Sequence, residues 1–310
     1  MKSDGRERER ALKLFGKYHS DLRKVYTVYN RMLRAKARQL MILLGIATSI
    51  IGYLYFNMKH TTAHVTFHIP RTLTLETERH GVPFILHEYW HSRRIPNAMS
   101  KVIENHIKMN PEFDIYIYSE KEAIEFLKKH FDPELLTVYK GFKPSAYRSD
   151  LFRYCVLYIM GGVYIDTKMD FTVPLKDLIK DSQFVILNTK DNWCSDGRGV
   201  SNALIITPPK NEILRIAIDE IVKAYRERSY KEDELDITGP CLIGDILNRT
   251  KQAHLRDKAR CECSEDNTHF VFKCDGKEVA RSYPEYRKEQ INMQKEPHYK
   301  KLYQKGDIYW

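Results

Sequence analysis

The stretch Tyr147–Asp170, YRSDLFRYCVLYIMGGVYIDTKMD, decides the fold. Pro144 to Met160 is predicted as a long helix that stops at Gly161-Gly162, where glycine lets the backbone leave the helical region. Val163–Asp166 then reads as a short strand whose last apolar residue is Ile165. Asp150 and Arg153 are three apart and share a helix face. Tyr154 and Tyr158 run along that side, while Leu151, Cys155 and Ile159 point inward. Asp166 therefore emerges at the C-terminal mouth of the sheet, where ligands bind in open α/β folds. A carboxylate there can hold a hard divalent cation that bridges a diphosphate and acts as a Lewis acid on it. The same residues also read as a surface Asp150–Arg153 ion pair beside a strand that merely ends in Asp166.

Outward from this stretch, strands and helices alternate. Val82–Tyr89, Phe113–Tyr118, Phe184–Asn188 and Ala203–Thr207 are predicted strands; Ala98–Met109 and Asn211–Tyr225 are predicted helices. Ser119 is placed to cap a further helix carrying Ile124, Phe126 and Leu127. Such alternation predicts an α/β fold: an open, largely parallel sheet with helices on both faces. No P-loop, Gly-x-Ser-x-Gly or Gly-x-Gly-x-x-Gly follows a strand, which argues against phosphotransferase, hydrolase and dinucleotide enzymes.

The net charge of +10 is a property of one arm. Residues 1–39 hold twelve Lys/Arg and four acids, so the remainder is close to neutral and gives no nucleic-acid signal. The arm carries apolar residues at roughly helical spacing, which suits either an anionic membrane surface or a solvated helix. Leu40–Phe56, LMILLGIATSIIGYLYF, has no charge in seventeen positions and no polar face. As a helix it spans roughly 25 Å, enough for a single transmembrane pass. With the basic flank on its N-terminal side, the positive-inside rule predicts a type II signal anchor. The expected organisation is a basic cytosolic arm (1–39), an anchor (40–57), a polar stem (58–80) and a catalytic domain (81–310).

Six cysteines are compatible with disulfides in an oxidising lumen. Cys261, Cys263 and Cys274 fit no common zinc spacing, and Cys155 reads as a core residue. Asn248-Arg249-Thr250 is a glycosylation sequon, which fits a luminal domain. His87 falls in a strand and reads as structural, as does His91.

Several ordered motifs together resemble glycosyltransferase family 32, the DXD sugar-binding family. Its Ser-Asp-hydrophobic-x-Arg-Tyr is matched by Ser149-Asp150-Leu151-Phe152-Arg153-Tyr154. Its Gly-Gly-x-Tyr-x-Asp is matched by Gly161-Gly162-Val163-Tyr164-Ile165-Asp166. The entry strand is similar to Val82–Trp90, later markers to Ser201-Asn202-Ala203, Pro208-Pro209 and Thr238-Gly239-Pro240, and the family's tail to the closing HYKKLYQKGDIYW. Members include initiating α-1,6-mannosyltransferases, inositol-phosphoceramide mannosyltransferases and polysaccharide enzymes.

The resemblance implies a GT-A (Rossmann-like nucleotide-sugar-binding) fold and a retaining transfer of a hexose from a UDP- or GDP-sugar to a glycan or glycolipid. Mn²⁺ or Mg²⁺ is the implied cofactor. By position, Trp90 is implied to stack on the base, Asp150 with Arg153 and Ser149 to hold the donor sugar, Tyr164 to line the nucleotide pocket, and Asp166 to contact ribose or metal. The implied site is a Golgi membrane in a eukaryote, and otherwise a viral, host or bacterial membrane.

One position departs from the pattern: the motif's second Asp falls at Lys168. Alternate strand residues share a face, so Lys168 is expected in the same mouth as Asp166. Three alternatives stand. Lys168 places its ammonium on the diphosphate and replaces the cation, as a further nucleotide-sugar contact. Asp170 instead completes the metal site with Asp166 while Lys168 turns away. Or the domain is a tethered sugar-nucleotide or glycan binder without turnover.

Overall fold

The computed structural model describes residues 62–73, 76–179, 184–189, 194, 196–257, 261–265, 269–293 and 297–310. The arm and the anchor expected over 40–57 lie outside them. Among the described residues no helix is long and apolar enough to cross a membrane.

In chain order the elements are β1 (Thr62–His64), β2 (His68–Ile69), β3 (Glu78–Arg79), β4 (Val82–Pro83), β5 (Ile85–Tyr89), β6 (Arg94–Pro96), α1 (Asn97–Met109) and β7 (Asp114–Tyr118). There follow α2 (Glu120–His130), α3 (Pro133–Gly141), α4 (Ser145–Met160), β8 (Gly162–Ile165), β9 (Met169–Phe171), β10 (Val185–Thr189) and β11 (Val200–Thr207). The rest comprises α5 (Glu212–Arg226), α6 (Pro240–Arg249), α7 (His254–Asp257), β12 (Cys261–Glu265), β13 (Phe270–Cys274), β14 (Lys277–Ser282), α8 (Tyr286–Met293) and α9 (Tyr299–Gln304).

The main sheet has the order β2-β7-β5-β8-β11-β10-β12-β13-β14-β9. Only β5/β7, β5/β8 and β10/β12 are parallel. The expectation of a largely parallel sheet is therefore corrected to a mixed one. The crossover through α1 makes β5 and β7 parallel, whereas the short links from β12 to β14 permit only antiparallel neighbours. The sheet also curls. β8 and β9 are separated by three residues, which span at most ~14 Å, yet β9 pairs with β14 at the far edge. That edge must return beside the C-terminal end of β8.

Residues 58–80, expected as a stem, join the domain from Thr62 onward. β1 pairs with β6, and β2 adds an edge strand to β7. Asp114 fixes the connection, accepting from the Arg71 guanidinium at 2.7 and 2.5 Å.

The glycine pair ending α4 is required for two reasons. Both residues have positive φ, +66° at Gly161 and +97° at Gly162. A Cβ on Gly161 would meet Pro209 N at 2.6 Å, and one on Gly162 would meet Ile85 O at 2.5 Å. Any side chain here would push α4 and β8 off their neighbours. Before the pair, α4 has no solvent face. Tyr147, Arg148, Leu151, Phe152, Arg153, Tyr154, Cys155, Val156 and Leu157 are all buried. Helix α2 starts on the expected cap, a Ser119–Glu122 capping box. His87 is structural, as expected. Its Nε2 lies 2.9 Å from Gly161 O and its Nδ1 3.3 Å from Tyr118 Oη. Burial pushes its pKa down to about 4.

Disulfides join Cys194 to Cys241 and Cys261 to Cys274, while Cys155 and Cys263 are buried and lie outside these two bridges.

Candidate functional site

Arg153 is the hub, reached from one helix and two strand ends. From α4 its Nη2 is 3.0 Å from Asp150 Oδ1 and its Nη1 is 3.2 Å from Asp166 Oδ1, just past β8. Nη1 also donates to Asn202 O at 2.6 Å, and Nη2 to Ser149 Oγ at 3.3 Å. Its guanidinium lies 4.6 Å from the centre of the Tyr164 ring. The surface-pair reading of Asp150 and Arg153 is thus overturned: no flank of α4 faces water at this point. Tyr158, expected on the same side, packs under Lys210 and Arg215 instead.

The two carboxylates differ in environment. Asp150 Oδ1 accepts from Asn202 Nδ2 at 2.9 Å, and Oδ2 accepts from Thr238 Oγ1 at 2.8 Å. Burial nevertheless outweighs these partners and Arg153, and pushes the Asp150 pKa up to about 6. Partial burial acts to raise the Asp166 pKa, but the paired charges of Arg153 and Lys168 overcome that and hold its carboxyl below the usual range. Lys168 Nζ is 3.0 Å from Asp166 Oδ2. Burial acts to lower the Lys168 pKa, yet Asp166 keeps it above the ordinary lysine value, so the ammonium stays charged. It also stands 4.5 Å from the centre of the Phe270 ring and 5.8 Å from that of Tyr286.

The opening lies at Asp166 and Lys168, whose side chains are 21% and 16% exposed against 6% for Arg153. Tyr164 is buried, with its hydroxyl 3.2 Å from Ser149 Oγ and its ring under Arg153, so its face supports the guanidinium. Trp90 follows β5 on the same rim and is buried, its Nε1 donating to Arg94 O at 3.2 Å. Asp170 is drawn away to α1, where its Oδ1 accepts from Asn105 Nδ2 at 2.6 Å.

Lys168 therefore does not turn away, and Asp170 does not stand beside Asp166. Each oxygen of Asp166 already faces a cation. No cluster of three or more His, Cys, Asp or Glu suited to a metal occurs among the described residues. Arg153 and Lys168 engage both oxygens of Asp166, so a divalent cation beside it would draw its other ligands from a bound diphosphate and water.

Residues 96–185 match the model of the glycosyltransferase sugar-binding region containing a DXD motif. This segment is thus similar to the sugar-binding region of glycosyltransferases. The resemblance drawn from Ser149–Asp166 is thereby borne out. A relative from Acanthamoeba polyphaga mimivirus, an uncharacterized glycosyltransferase L373, is 36% identical over 100 residues, 32% of this chain and 40% of that protein. Inositol phosphoceramide mannosyltransferase 2 of Schizosaccharomyces pombe is 24% identical over 174 residues, 55% of this chain and 48% of that protein. The chain thus spans less than half the length of these curated relatives. Among solved structures, the PaToxG glycosyltransferase aligns with a TM-score of 0.42 and 16% identity, over 69% of this chain and 80% of that one.

Sequence reading missed several residues of this candidate site. Asn202 and Thr238 were visible as parts of two motifs, but nothing local tied them to Asp150. Phe270 and Tyr286 carried no signal, because they reach Lys168 only through the curl of the sheet.

Proposed function

We propose that this domain moves a hexose from a UDP- or GDP-sugar to a glycan or glycolipid acceptor, on a GT-A scaffold and with retention of configuration. The observation that carries the reading is Asp166 clamped between Arg153 and Lys168 at the mouth of β8, inside the matched segment. The donor's diphosphate lies against Lys168, whose fixed ammonium stabilises the charge that develops as the sugar–oxygen bond breaks. Asp150 and Arg153 hold the sugar hydroxyls, Trp90 offers its indole to the base, and the leaving diphosphate assists front-face attack by the acceptor. Lys168 takes the part that the motif's second carboxylate and its cation play elsewhere. A glycolipid acceptor is supported by the Schizosaccharomyces pombe relatives, which are named inositol phosphoceramide mannosyltransferases. The apolar run 40–57 supports a type II anchor in a Golgi, viral or other membrane.

The test incubates the full-length chain in detergent with a panel of UDP- and GDP-sugars and scores nucleoside diphosphate release with Mn²⁺ and with EDTA. One donor should be turned over, in EDTA as well, and Asp166→Ala should lower the rate by roughly 10³-fold. Lys168→Asp should gain a Mn²⁺ response; an unchanged metal response would sink the lysine role. A second reading, a binder without turnover, is favoured by the closed Asp166–Lys168 pair. Donor binding with no release by the wild type would establish it.

A further inference from the structure

The turn that carries Lys168 is held from below by a buried pair outside the site. His106, on α1, and Glu88, on β5, are both fully buried, with Nδ1 2.9 Å from Glu88 Oε1. The other ring nitrogen, Nε2, is 3.0 Å from Met169 O. A carbonyl only accepts, so Nε2 is the protonated nitrogen that donates to it. The ring also packs on Phe171, with centroids 5.0 Å apart.

Met169 is the residue after Lys168 and closes its turn, donating its N–H to Asp166 O at 2.9 Å. Lys168 O accepts from Tyr283 N–H at 3.0 Å. On the far side, Asn105 donates to Asp170 Oδ1 at 2.6 Å and to Phe171 O at 3.1 Å. Two consecutive residues of α1 thus fix strand β9 at three acceptors immediately beyond Lys168. Without His106, Met169 O would be left buried and unpaired, at a cost that favours a different turn. The lysine's four-carbon stem would then no longer be aimed at Asp166.

We infer that His106, oriented by Glu88, is a positioning residue for Lys168: through Met169 O it fixes the turn that sets the ammonium on Asp166. It touches no substrate. The inference rests on the transferase reading for its kinetic arm only.

The test must separate positioning from stability. A buried pair replaced by apolar groups of similar volume generally folds, so the main variant is Glu88→Leu/His106→Phe in the full-length chain, its fold checked by thermal melting. Its kcat should fall by roughly 10- to 100-fold, with the donor KM changed far less. His106→Gln, which restores an N–H toward Met169 O, should recover most of that loss. Adding Lys168→Ala to the main variant should cost no more than Lys168→Ala alone, because both remove one aligned ammonium. Independently of turnover, acylation of Lys168 by an amine-reactive reagent, read by peptide mass spectrometry, should speed up several-fold in the main variant. Multiplicative kinetic losses, or an unchanged acylation rate, would overturn the inference. A wild type that turns over no donor would overturn the transferase reading alone, and the acylation rate would still decide the role of His106.

Discussion

The two walls of the site were built in different ways. One wall is α4 with β5 and β8: it supplies Ser149, Asp150, Arg153, Tyr164 and Asp166 from eighteen consecutive positions, inside the segment that matches the family model. The other is the curled part of the sheet with α8, which brings Phe270 and Tyr286 to Lys168 from more than a hundred residues away. The first wall holds charge in a network centred on the buried Arg153, whose Nε alone is left without a partner. The second holds it against aromatic faces. Damage to the first should therefore threaten fold and function together, whereas damage to the second should tune rate.

Arg153→Met is the sharpest way to break that contrast. It leaves Asp150 and Asp166 facing one another without their shared cation, a loss of about 3–5 kcal/mol for a buried partner. A large fall in melting temperature with complete loss of turnover is expected. A variant that stays as stable as the wild type would show that the first wall is not held by this network.

The next effect is a pH dependence confined to the first wall. Asp150 must be charged to hold Arg153, so kcat/KM should fall on the acid side with a midpoint near pH 6. Asp150→Asn should abolish that limb while lowering the plateau. The stability signs of the two carboxylates are opposite. Asp150, raised by burial, favours the folded state below its unfolded pKa and loses that contribution as pH climbs to about 6. Asp166, depressed by Arg153 and Lys168, contributes above its unfolded pKa and loses this as pH falls. Melting curves of Asp150→Asn across pH 4 to 7 would show the first term missing.

The smallest expected effect lies on the second wall. Phe270→Leu keeps apolar volume but removes the ring face beside Lys168, worth about 1 kcal/mol, or roughly fivefold in rate. Its melting temperature should change little. An effect as large as that of Arg153→Met would erase the distinction between the walls.

Much of this was legible in local sequence. The glycine pair announced the end of α4, and the apolar run after it announced β8, because steric rules and strand patterning act over a few residues. The i, i+3 spacing placed Asp150 beside Arg153 for the same reason. Lys168 was expected beside Asp166 by strand alternation; it is there, but through a turn closed from Met169 N to Asp166 O. The sense of the sheet was misread, because alternating apolar segments do not say whether a neighbour runs parallel or antiparallel. The polar residues 62–79 gave no strand pattern and still supplied edge strands, since edge pairing needs only backbone groups.

The sequence by itself determined the local scaffold: a helix, a glycine break, a strand and the carboxylates and arginine that these present. Only the tertiary structure decided that α4 is covered on every side at Arg153, that Thr238 and Asn202 complete Asp150, and that Asp170 leaves for Asn105. It alone placed His106 under the Lys168 turn. The reason is the range of the forces. Backbone sterics and helical spacing act between near neighbours in the chain, whereas desolvation, pairing and the closure of a curled sheet depend on which distant segments arrive together.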